Sequence, residues 1–238
     1  MNTKMDMQEL HRHLGIGLGV SKKGSEVKPT ESRSQLPLQT VNPSDIVFIS
    51  IDLEAYEFAH DKITEIGLSI FDTRSLTSSS GTLIDPGPNA SNWLPLMKYR
   101  HIRIKEYLEN VNKRYLKGCP EKFDFGTSDI QTLSDASSIV QRILQTGDLN
   151  PPLFPTERRE VVMLSHGLSN DLKFLDSINI PSTLPVVVNA KRADTQVLCR
   201  SSKKFTVSLK KLLIALGIEH KNLHNAGNDA ALVCCFRA

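Results

Sequence analysis

The chain has 238 residues, 39% of them hydrophobic and 6% aromatic, and its 29 Lys and Arg against 26 Asp and Glu leave a formal charge of +3. This length and apolar content suit one domain with a sizeable core and exclude a wholly disordered chain, while no apolar run reaches the roughly 18–20 residues of a membrane span. With 13 Gly and 4 Cys, no C-x-x-C pair and a polar amino terminus without an apolar signal stretch, the sequence argues against a collagen-like or disulfide scaffold and a cysteine zinc site, and points to a cytoplasmic or nuclear protein with no membrane association.

Residues 1–44 lack sustained periodicity and carry clusters of Ser, Gly, Lys, Glu and Pro, so they are expected to form a disordered tail ahead of one domain over 45–238. Ile46-Val47-Phe48-Ile49-Ser50-Ile51 is a short, nearly continuous apolar run, the pattern of a strand buried on both faces. Ile63 to Phe71 alternates as its hairpin partner, and Arg100 to Ile104 predicts a third strand. Leu133 to Gln145 places Leu133, Ala136, Ile139, Val140, Ile143 and Leu144 on one helical face, with Gly147 ending it. Glu160 to Ser165 predicts a further strand, followed by a helix with a Leu168, Leu172, Leu175 stripe. Pro185 to Asn189 is expected to be the last strand, and helices are expected near Thr195–Ser202, Ser208–Leu216 and Asn225–Phe236. Early strands followed by alternating helix and strand imply a mixed α/β sheet flanked by helices.

Three segments carry acids in suggestive places. Asp52 and Glu54 lie two apart at the end of the first strand, which puts both carboxylates on one face. Crowded like charges of this kind raise each other's pKa unless a cation or donor relieves them. His166-Gly167-Leu168-Ser169-Asn170-Asp171 follows a buried strand, and Asp171 falls in the first turn of the next helix. In His224-Asn225-Ala226-Gly227-Asn228-Asp229, residues five apart diverge by about 140° on an unbroken helix. His224 therefore converges with Asp229 only from a preceding loop, with Asn225 as the cap. Each segment also has an ordinary explanation, respectively a solvated strand end, a charge favoured by the helix dipole, and a capped helix. His166 reads as a histidine bonded to a loop carbonyl. Phe123 and Phe125 suit either core packing or base stacking.

In chain order, D-x-E on a first strand, H-G-x-x-N-D after a later one and H-N-A-x-x-D-A opening a late helix resemble the DEDDh branch of the DEDD exonucleases. The histidine five residues before the last acid marks that branch; its tyrosine-bearing sister branch has Tyr where Asn225 stands. The resemblance covers roughly 45–238 and implies an α/β, ribonuclease-H-like mixed sheet flanked by helices. It implies a 3′–5′ exonuclease that binds two Mg²⁺ or Mn²⁺ ions, with Asp52 bridging them, Glu54 and Asp229 completing one site, Asp171 helping the second and His224 as general base. The implied partner is the 3′ end of single-stranded nucleic acid, RNA ahead of DNA, released as nucleoside 5′-monophosphates. The runs 50–57, 63–67, 117–126 and 223–229 also resemble the fungal Gfd-type proteins, whose exonuclease-like domain is linked to mRNA export and RNA handling. This second likeness implies RNA-processing protein partners, and an alternative in which a weak or inactive domain serves as a nucleic-acid- or protein-binding module in mRNA export or RNA silencing. Ala55 and Tyr56 depart from the Thr or Ser that often follows D-x-E in the exonucleases.

Overall fold

The centre of the sheet is an eleven-residue strand whose two faces serve different ends. The computed structural model describes residues 4–14, 45–87, 91–151, 153, 159–181, 183, 187, 190–199 and 206–234. In chain order these form α1 (Met7–His13), β1 (Ile46–Tyr56), β2 (Ala59–Asp72), β3 (Lys98–Ile104), β4 (Asp129–Gln131), α2 (Leu133–Thr146), β5 (Glu160–Ser165), α3 (Leu168–Ser177), β6 (Lys191–Asp194), the single turn α4 (Thr195–Leu198), α5 (Leu209–Leu216) and α6 (Ala226–Cys234). The six strands lie in the order β4-β3-β2-β1-β5-β6. β2 pairs antiparallel with both β1 and β3, whereas β5 joins β1, β6 joins β5 and β4 joins β3 in parallel. This is the α/β, ribonuclease-H-like arrangement of mixed sheet and flanking helices expected from the sequence.

The alternation of β1 divides the core. Val47, Ile49, Ile51 and Leu53 pack on one face with Ala136, Val140, Ile143 and Leu144 of α2 and Leu175 of α3. Ile46 and Phe48 face the other way, into a second core containing Phe71, Trp93, Val162, Leu164 and Val233. Trp93 is a packing residue, its indole N–H donating to the Ile84 carbonyl at 2.8 Å. The even-numbered face of β1 continues from Phe48 through Ser50 to Asp52 and Glu54, so the pattern that fills the core also aims the acids.

Three sequence expectations differ from the described structure. The expected tail over 1–44 is not uniform: α1, capped by the Asp6 side chain, buries Leu10 in the second core, and the flanking Met5 and Leu14 join it there. The segment docks on β6, the Met5 N–H donating to the Arg192 carbonyl at 2.8 Å and Lys191 Nζ reaching Glu9 at 3.3 Å. Residues 15–44 lie outside the described residues. Among the described residues the last strand is Lys191–Asp194; of the expected strand Pro185–Asn189 only Val187 is described, and it is helical. β6 is last in the strand order and only Ala193 of its four residues is buried, so its sequence carries no apolar run. Likewise the helix expected over Thr195–Ser202 is one turn at Thr195–Leu198, with residues 200–205 outside the described set. Among the described residues no helix is long and apolar enough to cross a membrane.

Candidate active site

β1 supplies Asp52 and Glu54 on a shared face, and the hairpin register sets Asp52 opposite Gly67 and Glu54 opposite Glu65. Gly67 is what lets α6 approach. A Cβ at that position would lie 1.8 Å from the Ala226 carbonyl oxygen, so any side chain would drive the helix start off the sheet beside Asp52.

Asp171 comes from the first turn of α3. Its Oδ1 accepts the Leu53 N–H at 3.2 Å and its Oδ2 accepts the Ser165 hydroxyl, which ties the helix to β1 and β5. The turn that launches α3 is braced from behind. Asp194 accepts the N–H groups of Gly167 at 3.0 Å and Leu168 at 3.1 Å. His166 bridges Thr195 Oγ1 at 2.9 Å and the Val207 carbonyl at 2.7 Å. His166 is thus a loop brace, as its place in the sequence suggested.

α6 supplies Asp229. Asn225 caps it, its Oδ1 accepting the Asn228 N–H at 3.1 Å and its carbonyl accepting the Asp229 N–H at 3.0 Å. His224 stands just outside the cap in a left-handed conformation, φ 65°, and its N–H donates to Asp229 Oδ2 at 3.1 Å. That kink brings together two residues which a continuous helix would separate. Asn228 anchors the preceding segment, donating to the carbonyls of Lys122 at 2.8 Å and Asn222 at 3.0 Å and accepting the Asp124 N–H at 2.8 Å. Phe123 packs on His101, with ring centroids 5.3 Å apart, and Phe125, which stays exposed, lies against Tyr99 at 4.6 Å.

The structure brings Asp52, Glu54, Asp171, His224 and Asp229 together. Glu54, His224 and Asp229 each offer a ligand atom within 4.8 Å of the others'. Asp52 and Asp171 stand outside this tighter trio, yet close enough for their charges to act on its members. Burial is the leading cause that raises every one of the four acids: Asp52 well above the usual carboxylate range, Glu54 to about 8, and Asp171 and Asp229 to about 7. Repulsion from Asp171, Asp229 and Glu54 adds to the rise at Asp52. The bonds from Ser165 and Leu53 to Asp171, and from the His224 N–H to Asp229, pull the other way without reversing it. Burial lowers the His224 pKa, which favours the neutral imidazole.

The donor set fits hard divalent cations. Asp52 Oδ2 and Asp229 Oδ1 are buried with no hydrogen-bond partner, an arrangement that costs free energy unless something positive approaches. Carboxylate oxygens are the ligands that Mg²⁺ and Mn²⁺ prefer.

One acid of this cluster escaped the sequence analysis. Glu65 is 4% exposed and its charge contributes to the rise at Glu54, Asp52 and Asp229. Its Oε2 lies 2.9 Å from Nε2 of the fully buried His101 and accepts the Ala226 N–H at 3.4 Å. Glu65 therefore links the sheet to the start of α6. Its only local signal is a charge in an otherwise apolar strand, Ile63-Thr64-Glu65-Ile66.

A family profile described as DEDDh_C, the DNA polymerase III subunit epsilon-like C-terminal domain, matches residues 47–236. An uncharacterized nucleolar protein of Schizosaccharomyces pombe is 31% identical over 201 residues, covering 81% of this chain and 68% of the relative. Good for full DBP5 activity protein 2 of Saccharomyces cerevisiae is 28% identical over 205 residues, covering 76% of this chain and 32% of its own length, so the chain spans about a third of that relative. Among solved structures, the nuclease domain of 3′hExo, a DEDDh family member bound to rAMP, aligns with a TM-score of 0.47 at 15% identity, over 82% of this chain and 92% of that one. A product-bound exonuclease I aligns with a TM-score of 0.44 at 10% identity, over 81% of this chain and 42% of its own. With the profile spanning nearly all of the sheet and every residue of the acidic cluster, the chain belongs to the DEDDh family, in its DNA polymerase III subunit epsilon-like C-terminal domain group.

Proposed function

We propose that the chain is a metal-dependent 3′–5′ exonuclease that removes nucleoside 5′-monophosphates from the 3′ end of single-stranded nucleic acid. The observation that carries this reading is the meeting of Asp52, Glu54, Asp171 and Asp229 around unpartnered buried carboxylate oxygens, with His224 within 4.8 Å of two of them. Asp52, Glu54, Asp171 and Asp229 would hold two Mg²⁺ or Mn²⁺ ions. When bound, such ions acidify a water and offset charge on the phosphate and the leaving oxygen. His224, kept neutral by burial, accepts the proton of the attacking water. The water oxygen bonds to phosphorus, the bond from phosphorus to the 3′ oxygen breaks, that oxygen takes up a proton from solvent water, and His224 returns its proton to solvent. General-base help of this kind is worth about 10²–10⁴-fold. The His224 N–H bond to Asp229 fixes the backbone from which the ring projects. Leu53 and Ser165 hold the Asp171 carboxylate at the end of β1, where its charge acts on Asp52.

RNA is proposed as the substrate and the nucleus as the setting, supported by the nucleolar description of the Schizosaccharomyces pombe relative. The name of the Saccharomyces cerevisiae relative, Good for full DBP5 activity protein 2, favours a second reading, in which a weak or inactive domain serves RNA-processing protein partners in mRNA export. One assay separates the two. Purified protein with a 3′-hydroxyl strand is expected to release mononucleotides in Mg²⁺ or Mn²⁺, to stop in EDTA, and to lose product with Asp52→Ala. Strand binding without metal-dependent product would support the second reading instead.

A further inference from the structure

The tip of the β1–β2 hairpin carries an aromatic cluster that the reaction does not use. Tyr56 meets Phe58 edge to face at 5.4 Å between ring centroids, and Phe58 meets Tyr115 at 6.3 Å. Phe58 is 57% exposed, Tyr115 68% and the adjoining Leu116 52%. Large apolar side chains grouped in this way on a surface mark a contact site. A cavity of about 480 Å³ lies beside them, within the usual range for small-molecule pockets. Its wall runs from Tyr115 and Leu116 past Phe174 of α3 to Glu54, so it opens directly onto the acidic cluster.

The surface is built to keep its shape. Glu57, at the hairpin turn, accepts the N–H groups of Lys113 at 3.0 Å, Arg114 at 3.1 Å and Tyr115 at 2.9 Å. Those bonds lower the Glu57 pKa. Asn112 closes the clamp, donating to the Ala55 carbonyl at 2.8 Å and accepting the Glu57 N–H at 2.8 Å. The clamped loop carries exposed Lys113, Arg114 and Lys117, and the Arg114 guanidinium lies 5.4 Å from the Tyr115 ring centre. Flat rings interleaved with cations match the two halves of a nucleotide, a π-faced base and an anionic phosphate. A neutral apolar peptide would have no use for the cations.

We propose that Phe58 and Tyr115 form a stacking platform for unpaired bases of the strand whose end enters the acidic cluster, with Lys113, Arg114 and Lys117 along its phosphates. This rests on the exonuclease reading for the strand's direction, but the contact itself needs no hydrolysis. A base in a duplex has both faces covered by its neighbours, so the platform selects single strands.

The test is fluorescence anisotropy of a short, labelled RNA homopolymer in EDTA, where nothing is cut. Tyr115→Ala and Phe58→Ala are expected to weaken binding by roughly 5- to 150-fold each. Tyr115→Phe should restore it, and Ile130→Ala, at an exposed position outside the cluster, should leave it unchanged. A blunt duplex should compete poorly. Wild-type affinity in both alanine variants overturns the platform and leaves the patch to a protein contact; absence of measurable wild-type binding, or equal competition by duplex, overturns it too. Weakened binding in these variants alongside no metal-dependent product refutes the exonuclease reading alone. Metal-dependent product with unaltered binding refutes the platform alone.

Discussion

Asp52, Glu54, Asp171 and Asp229 are each held where burial and neighbouring charge resist ionisation, and that resistance can be measured as a dependence of stability on pH. In an unfolded chain these groups ionise near their ordinary values, 3.8 for Asp and 4.5 for Glu, against about 7 for folded Asp171 and Asp229 and about 8 for Glu54. Folded protein therefore binds more protons than unfolded protein across that window. The stability contributed is fully present below about pH 4 and is lost as pH rises through 7 to 8. Thermal melts in EDTA are expected to show a lower Tm at about pH 8.5 than at about pH 5, with Mn²⁺ restoring it at the higher pH. Asp52→Asn should flatten this dependence while abolishing hydrolysis, because it removes a repelling charge and a metal ligand together. His101→Ala should act differently. It strips the buried Glu65 of its 2.9 Å hydrogen-bond partner, a loss of about 1–3 kcal/mol for a buried polar group left short of a partner, read by urea denaturation. Each local pattern alone (period two for Asp52 and Glu54, a strand-to-helix turn for Asp171, a cap for His224 and Asp229) has an ordinary explanation; the five residues were singled out because the three patterns fall in the chain order of the DEDDh resemblance. Glu65 was not legible, since its importance arises from the cross-strand pairing with Glu54 and from a helix start 161 residues away.

At the scale of elements, the site depends on how closely α6 can lie on β2. Gly67→Ala removes no acid, yet puts a methyl group where the Ala226 carbonyl now sits. Overpacking of this kind costs about 1–3 kcal/mol or more. The expected result is a folded protein with weakened Mn²⁺ binding by calorimetry and greatly reduced hydrolysis; wild-type values for both would show that the approach of α6 does not govern the site. Strands filled with apolar residues were legible from periodicity, and so was α2, capped by Thr132 and ended by Gly147. The elements that were missed are those whose sequences answer to position rather than burial. β6 reads Lys-Arg-Ala-Asp, with Ala193 alone buried, and the three-residue β4 lies at the opposite edge. Edge strands of this sort are short and charged, which discourages pairing with other chains.

Across the whole molecule, the two cores on either side of β1 are closed by segments far apart in sequence. α1 is a seven-residue helix, too short to persist alone; docking on β6 holds it, and that long-range contact left no periodic trace for sequence reading. Leu10→Ala should cost about 2–5 kcal/mol, as for other buried leucines, and should lower Tm without altering the metal dependence of hydrolysis. Asp52 and Asp229 repel one another in the fold, yet Asp229 is made only after β2 to β6 have been made. During translation the ribosome releases β1 long before α6. Until that helix docks over Gly67, Asp52 and Glu54 have neither His224 nor Asp229 beside them. On the exonuclease reading, the growing polypeptide is thereby harmless to the message that encodes it, and becomes competent to cut only when its last described helix settles into place.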